Sequence, residues 1–107
     1  MDKLAQTLAR LQATIAARKG ADPGLSYTAK LLAGGPPLAA KKMGEEAIET
    51  VIAAIQNDPD ALAAESADML YHWLVLLEAA GVSPDAVADK LAAREGTSGI
   101  AEKASRP

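Results

Sequence analysis

The segment that decides the fold reads 65-ESADMLYHWLVLL-77. Wound as a helix, it carries apolar side chains on nearly every side, and a helix of that kind is usually buried. Glu65 and Asp68 nevertheless project from it, and an uncompensated carboxylate is very unfavourable in an interior. The segment therefore predicts a central helix with two acids that need a partner or a raised pKa.

A second acidic cluster, 45-EEAIE-49, precedes this segment. Residues three and four apart share one face of a helix, so both clusters bring like charges together, at about 0.2 to 0.5 kcal/mol per pair. Between the lysines at positions 42 and 90 the chain has ten acidic residues and no Lys or Arg. This imbalance indicates a cation that the chain does not supply, although a solvated acidic face is the alternative.

Three partners for the acids are conceivable: a distant Lys or Arg, a shared proton, or a divalent cation. Two antiparallel helices joined by a short turn can each present a carboxylate pair across their contact, which favours the cation. Oxygen ligands suit Mg²⁺ or Mn²⁺, and Mg²⁺ commonly binds one or two carboxylates together with substrate phosphates. We therefore predict a metal site formed by four carboxylates: Glu46, Glu49, Glu65 and Asp68.

Basic residues near the acids are candidates for binding phosphate. Lys41 and Lys42 lie one turn before the first cluster, where they can contact phosphates or pair with neighbouring acids. Lys30 is a weaker candidate, because an isolated Lys is usually only a solvated charge.

His72 lies on the same stripe of its helix as Glu65 and Asp68. From there it can hydrogen-bond a carboxylate or touch substrate. A lone His on an apolar helix is more often a structural residue with satisfied hydrogen bonds, so both interpretations stay open.

Composition narrows the class of protein. The 107 residues predict one domain, 1–107, and the apolar half is mostly Ala and Leu with no Phe, which favours helices. A net charge of -3, with basic residues at the two ends, argues against nucleic-acid binding. The absence of Cys fits a reducing cytoplasm. The longest strongly apolar run, 69–77, is far shorter than the roughly 20 residues that span a membrane.

Apolar spacing, caps and breakers predict an all-α bundle of four to five helices. The expected helices cover about 2–19, 27–33, 37–56, 60–80 and 84–94, with a break at 34–37. The tail 96–107 is small and polar, so composition alone predicts disorder. The helix over 60–80 needs more cover than a small chain easily supplies, which suggests a homodimer that buries it.

Four stretches resemble the phosphoribosyl-ATP pyrophosphohydrolases, a family of the all-α nucleotide pyrophosphohydrolase superfamily that includes the MazG and dUTPase-like enzymes. The stretches are 26-SYTAKLL-32, 41-KKMGEEAIE-49, 65-ESADMLYH-72 and 96-GTSGIAEKASR-106. The resemblance implies Mg²⁺-dependent hydrolysis of phosphoribosyl-ATP to phosphoribosyl-AMP and pyrophosphate, the second step of histidine biosynthesis. It also implies that the tail orders against the bundle or the ligand, through Lys103 and Arg106.

The resulting hypothesis gives Glu46 and Glu49 a catalytic role through the cation, and makes Glu45 the residue that orients or deprotonates the attacking water. One alternative is a general nucleoside triphosphate pyrophosphohydrolase, from which the stretches 26–32 and 96–106 should distinguish this chain. Another is a non-catalytic helical module with acids that pair with a basic partner protein.

Overall fold

The computed structural model describes residues 2–96 and 98–106, and within these ranges the regular structure is entirely helical. The helices are α1 (Lys3–Ala17), α2 (Tyr27–Ala33), α3 (Gly35–Ile55), α4 (Pro59–Ala80), α5 (Pro84–Ala92) and α6 (Gly99–Ser105). The all-α prediction is confirmed. The first five helices match the predicted ones to within about two residues at most ends, and α6 was not predicted.

Local chemistry explains where the helices begin. Four side chains accept a hydrogen bond from a backbone N–H of the first turn: Asp2, Ser26, Asp58 and Ser83. Such caps satisfy donors that have no partner inside the helix. A proline opens both α4 and α5, where its missing N–H costs nothing. Gly81 ends α4 in the left-handed conformation, at a φ of 72°.

The centre of the molecule is the hairpin of α3 and α4, the two longest helices, joined by a short turn at 56–58. The apolar core comprises Ile15, Leu31, Ala39, Leu74 and Val75, contributed by the first four helices. Because α1, α2 and α3 all pack against α4, the middle of α4 is buried as its sequence predicts.

The junction of α2 and α3 is tighter than expected. The break predicted at 34–37 is wrong in extent, since α3 begins at Gly35, directly after Gly34. A Cβ atom added to Gly34 would clash with Leu38 Cδ2 and would lie only 2.8 Å from Leu38 Cβ. Only glycine therefore fits at this sharp turn, which folds α2 back against α4.

The exposed apolar surface lies on α3 rather than on α4. Four side chains of α3 are between 47% and 77% exposed, namely Ile48, Val51, Ile52 and Ile55. None of the large apolar side chains exposed in the described residues belongs to α4. Within the chain α4 buries Leu74 and Val75, while Leu70, Trp73 and Leu77 are only half-buried, so a homodimer that covers α4 stays a prediction.

The tail contains a short helix, α6, where composition alone predicts disorder. The large apolar side chain of α6, Ile100, remains 85% exposed. Lys103 and Arg106, predicted to contact the ligand, are exposed as well. Thr97 and Pro107 of the predicted tail lie outside the described residues. No helix in the described ranges combines the length and apolar character needed to cross a bilayer.

Candidate metal centre and active site

Three of the four predicted metal ligands converge where α3 meets α4. Each of Glu46, Glu49 and Glu65 places a carboxylate oxygen within 4.8 Å of the others. Glu46 and Glu49 are one turn apart on α3, so they share a face, and Glu65 reaches the same point from α4. Glu46 and Glu65 are half-buried, whereas Glu49 is exposed.

Two oxygens of this cluster are buried without a partner. Glu46 Oε2 and Glu65 Oε2 are excluded from solvent and have no hydrogen bond. A buried acceptor left unsatisfied costs about 1 to 3 kcal/mol, and more when it is charged. The metal-free cluster therefore needs either a proton or a cation.

The electrostatics of the cluster point the same way. Burial raises the pKa of Glu46, the neighbouring Glu49 raises it further, and the nearby His72 lowers it in part. Burial also raises the pKa of Glu65, reinforced by Glu49 and then by Asp68 and Glu46. A divalent cation at this point would reverse these effects, because it favours the ionised carboxylates.

Asp68 stands beside the cluster rather than within it. Its side chain is exposed, and it is not among the carboxylates that approach within 4.8 Å of one another. Its charge nevertheless raises the pKa of both Glu46 and Glu65. The prediction of four ligands thus corresponds to three convergent carboxylates and one close neighbour.

Thr50 connects the two helices at the level of the cluster. Its hydroxyl oxygen Oγ1 lies 2.8 Å from the backbone oxygen of Glu46 and 3.1 Å from that of Glu65. Reasoning from the sequence did not single out this residue, because a helical Thr ordinarily bonds only within its own helix.

His72 is 7% exposed and joins α4 to α2. Its Nδ1 donates to the backbone oxygen of Asp68 at 2.8 Å, which leaves Nε2 to accept from the Tyr27 hydroxyl at 3.4 Å. The Tyr71 ring packs edge-on against the imidazole, and the Tyr71 hydroxyl bonds Thr28 Oγ1. Both ring nitrogens have hydrogen-bond partners, as expected if His72 is a structural residue. No separate signal in the sequence marked Tyr27 and Thr28 as neighbours of His72 and Tyr71, apart from their place in the family-like stretch 26–32.

The other predicted site residues are not among the converging carboxylates. Glu45, next to a ligand in sequence, points to a different environment, where its Oε2 accepts from Lys42 Nζ at 3.4 Å. Lys30 and Lys41 are exposed. The structure therefore separates the adjacent acids: Glu45 forms a solvated ion pair with Lys42, and Glu46 is a half-buried member of the carboxylate cluster.

Comparison with known proteins gives one family over most of the chain. The family model described as phosphoribosyl-ATP pyrophosphohydrolase matches residues 8–95. A protein of Caulobacter sp. (strain K31) named phosphoribosyl-ATP pyrophosphatase is 72% identical over 107 residues, covering 100% of this chain and 99% of the relative. Relatives with the same name from Caulobacter vibrioides and Azospirillum brasilense are 72% and 60% identical, covering 97% and 98% of this chain and 96% of each relative.

Proposed function

Because this chain belongs to the phosphoribosyl-ATP pyrophosphohydrolase family, we propose that it hydrolyses phosphoribosyl-ATP to phosphoribosyl-AMP and pyrophosphate, the second step of histidine biosynthesis. The observation that carries the proposal is identity of 60% to 72%, over nearly the whole chain, to relatives named for that activity. The reaction breaks a phosphoanhydride bond with water. A biosynthetic role of this kind fits the cytoplasmic location expected from the sequence.

The proposed cofactor is Mg²⁺, with Mn²⁺ as a substitute, held by Glu46, Glu49 and Glu65 with Asp68 beside them. The buried unpartnered oxygens Glu46 Oε2 and Glu65 Oε2 support this, because they need a positive partner. A set of carboxylate oxygens also matches the preference of these hard cations. When bound, such a cation neutralises phosphate oxygens and lowers the pKa of a coordinated water.

Other residues are proposed to bind the substrate phosphates and to orient the attacking water. Glu49 is exposed and is proposed to be the carboxylate that a triphosphate approaches, while Glu46 and Glu65 hold the cation from the half-buried side. Lys41, Lys42 and Lys30 are proposed to neutralise phosphate oxygens from α3 and α2, and Lys103 and Arg106 from the tail. Glu45 is proposed to orient the attacking water from the solvated side.

His72 is proposed to have a structural role beside the site rather than to contact the substrate. Its imidazole is buried and bonded at both nitrogens, so a substrate contact at Nε2 would have to displace the Tyr27 hydroxyl. The contact of His72 with the backbone of Asp68 instead supports a role in fixing that carboxylate beside the cation.

The protein is proposed to form a homodimer, with the exposed apolar face of α3 as its interface. Ile48, Val51, Ile52 and Ile55 present this face to solvent, with Ile55 77% exposed. Contiguous apolar side chains of this size on a surface mark interaction sites. A second copy would cover them with the same residues around a twofold axis.

The activity is tested by measuring pyrophosphate release from phosphoribosyl-ATP, ATP and deoxynucleoside triphosphates, with Mg²⁺ or with EDTA. We expect release from phosphoribosyl-ATP to be much faster than from the others and to require the metal. Equal or faster release from the deoxynucleotides would instead indicate a general nucleotide pyrophosphohydrolase.

The metal centre is tested separately by thermal unfolding. A ligand that binds only the native state adds about 2.7 kcal/mol at a concentration 100 times its Kd, so the melting temperature should rise with added Mg²⁺ or Mn²⁺ and should not rise with K⁺ at matched ionic strength. An unchanged melting temperature together with no release of pyrophosphate would favour a non-catalytic module.

A further inference from the structure

Thr50 differs from Thr7 and Thr14, the two threonines of α1 with hydroxyls that donate to backbone oxygens. Thr7 and Thr14 of α1 donate only to the backbone oxygen four residues earlier, on an exposed surface. Thr50 makes the same bond to Glu46 and also approaches the backbone oxygen of Glu65 on α4. The bond within α3 is ordinary for a helical Thr, whereas the contact between helices is not.

The two acceptors of Thr50 belong to the two residues with buried, unpartnered carboxylate oxygens. Each backbone oxygen is attached to the carbonyl carbon next to the Cα that carries the corresponding side chain. A hydroxyl shared between them fixes the sliding position of α3 against α4 at the cluster itself. A slip of about 1.5 Å, one residue of helix rise, would carry Glu65 away from Glu46 and Glu49.

We propose that Thr50 is a positioning residue for the metal centre, with a hydroxyl that holds the backbones of Glu46 and Glu65 together so that their carboxylates meet on one cation. The proposal rests on the proposed function, because it assumes that the cluster binds a cation. Thr50 itself does not touch the metal, since its hydroxyl is directed to backbone oxygens.

The test compares Thr50→Val, which keeps the shape and loses the hydroxyl, with Thr50→Ser, which keeps the hydroxyl. Thr14→Val is the matched control, because it removes a helical Thr hydroxyl that makes only the bond within its own helix. Binding of Mn²⁺ alone is measured by the electron paramagnetic resonance signal of the free ion, and pyrophosphate release is measured against metal concentration.

Loss of a group that orients metal ligands typically weakens metal affinity 10- to 100-fold. We expect a loss of about that size in Thr50→Val, with kcat at saturating metal reduced less than the affinity. Thr50→Ser should restore affinity to within about twofold of the parent protein, and Thr14→Val should leave it unchanged. Should Thr50→Val fail to fold, Thr50→Ala takes its place in the same comparison.

The outcomes separate this proposal from the one it rests on. If the parent protein binds no Mn²⁺, the metal centre itself is wrong, and the positioning role is overturned with it. If the parent protein binds Mn²⁺ and Thr50→Val binds it equally well, even with a lower melting temperature, only the positioning role is overturned. Affinity as weak in Thr50→Ser as in Thr50→Val would also overturn it, because the hydroxyl would then not be the cause.

Discussion

The two faces of α3 reverse the usual distribution of charge and apolar surface. The face toward α4 carries Glu46, whose Oε2 is buried, while the opposite face exposes isoleucine and valine side chains. An ordinary amphipathic helix buries its apolar stripe and exposes its charges. Both faces of α3 are thus unfavourable in an isolated chain, and each indicates a partner: a small cation on one side and an apolar surface on the other.

Small residues make the acidic face compatible with close packing. Ala53, one turn after Glu49 on the same side, is 4% exposed, and Thr50 reaches across to α4. The helices can therefore approach closely where the carboxylates meet. The apolar face has no comparable packing role within the chain, which supports a second chain as its cover.

The largest expected effect on the acidic face comes from Glu49→Gln. Mutation of residues that only orient metal ligands typically lowers metal affinity or activity 10- to 100-fold. Replacing Glu49, a proposed ligand itself, should therefore lower kcat/KM by more than about 100-fold. The charge of Glu49 raises the pKa of both Glu46 and Glu65, so its removal relieves repulsion. The metal-free variant should therefore melt no lower than the parent protein, by circular dichroism.

Asp22→Asn is a suitable control for Glu49→Gln, since Asp22 is an exposed acid in the loop between α1 and α2, where it accepts from the backbone of Gly24. It should retain nearly full activity. Near-normal turnover of Glu49→Gln at saturating Mg²⁺ would remove the acidic face of α3 from the mechanism.

The sequence allowed the acidic face to be predicted because spacing alone places carboxylates on common helix stripes. Glu46, Glu49 and Glu65 meet as their spacing suggested. Glu45 was less predictable, since a shift of one residue along a helix turns a side chain by about 100°. That rotation decides whether an acid enters the cluster or pairs with Lys42 in solvent.

The apolar face was harder to interpret because a helical pattern gives the direction of a stripe but not what covers it. The strongly apolar sequence of α4 suggested an interface there, and within the chain α1, α2 and α3 pack against α4 and bury Leu74 and Val75. The apolar stripe of α3 is exposed instead. Only the packing of all the helices shows which apolar stripe remains exposed to solvent.

An intermediate effect is expected when the apolar face is charged by Ile52→Glu. Full burial of such a side chain contributes about 1.5 to 3 kcal/mol, and Ile52 is still 47% exposed, so about half of that remains to be gained in each of two copies. Its loss should raise the dimer Kd about 10- to 100-fold, measured by sedimentation velocity. Leu25→Glu, at a loop position 88% exposed, should leave the Kd unchanged. A parent protein that sediments as a monomer at micromolar concentration would refute this interface.

The smallest effect is expected from Glu45→Gln, next to the acidic face but outside the cluster. Glu45 is exposed and paired with Lys42, and exposed pairs of this kind contribute little to stability. Orienting a water from a solvated position should cost no more than about tenfold in kcat, below the 10²- to 10⁴-fold typical of a general base. Metal affinity should not change, because the carboxylates that converge, and that are proposed to bind the cation, are those of Glu46, Glu49 and Glu65. A loss of kcat above about 100-fold with unchanged Mn²⁺ affinity would instead identify Glu45 as the general base, and the catalytic part of α3 would then extend beyond its inner face.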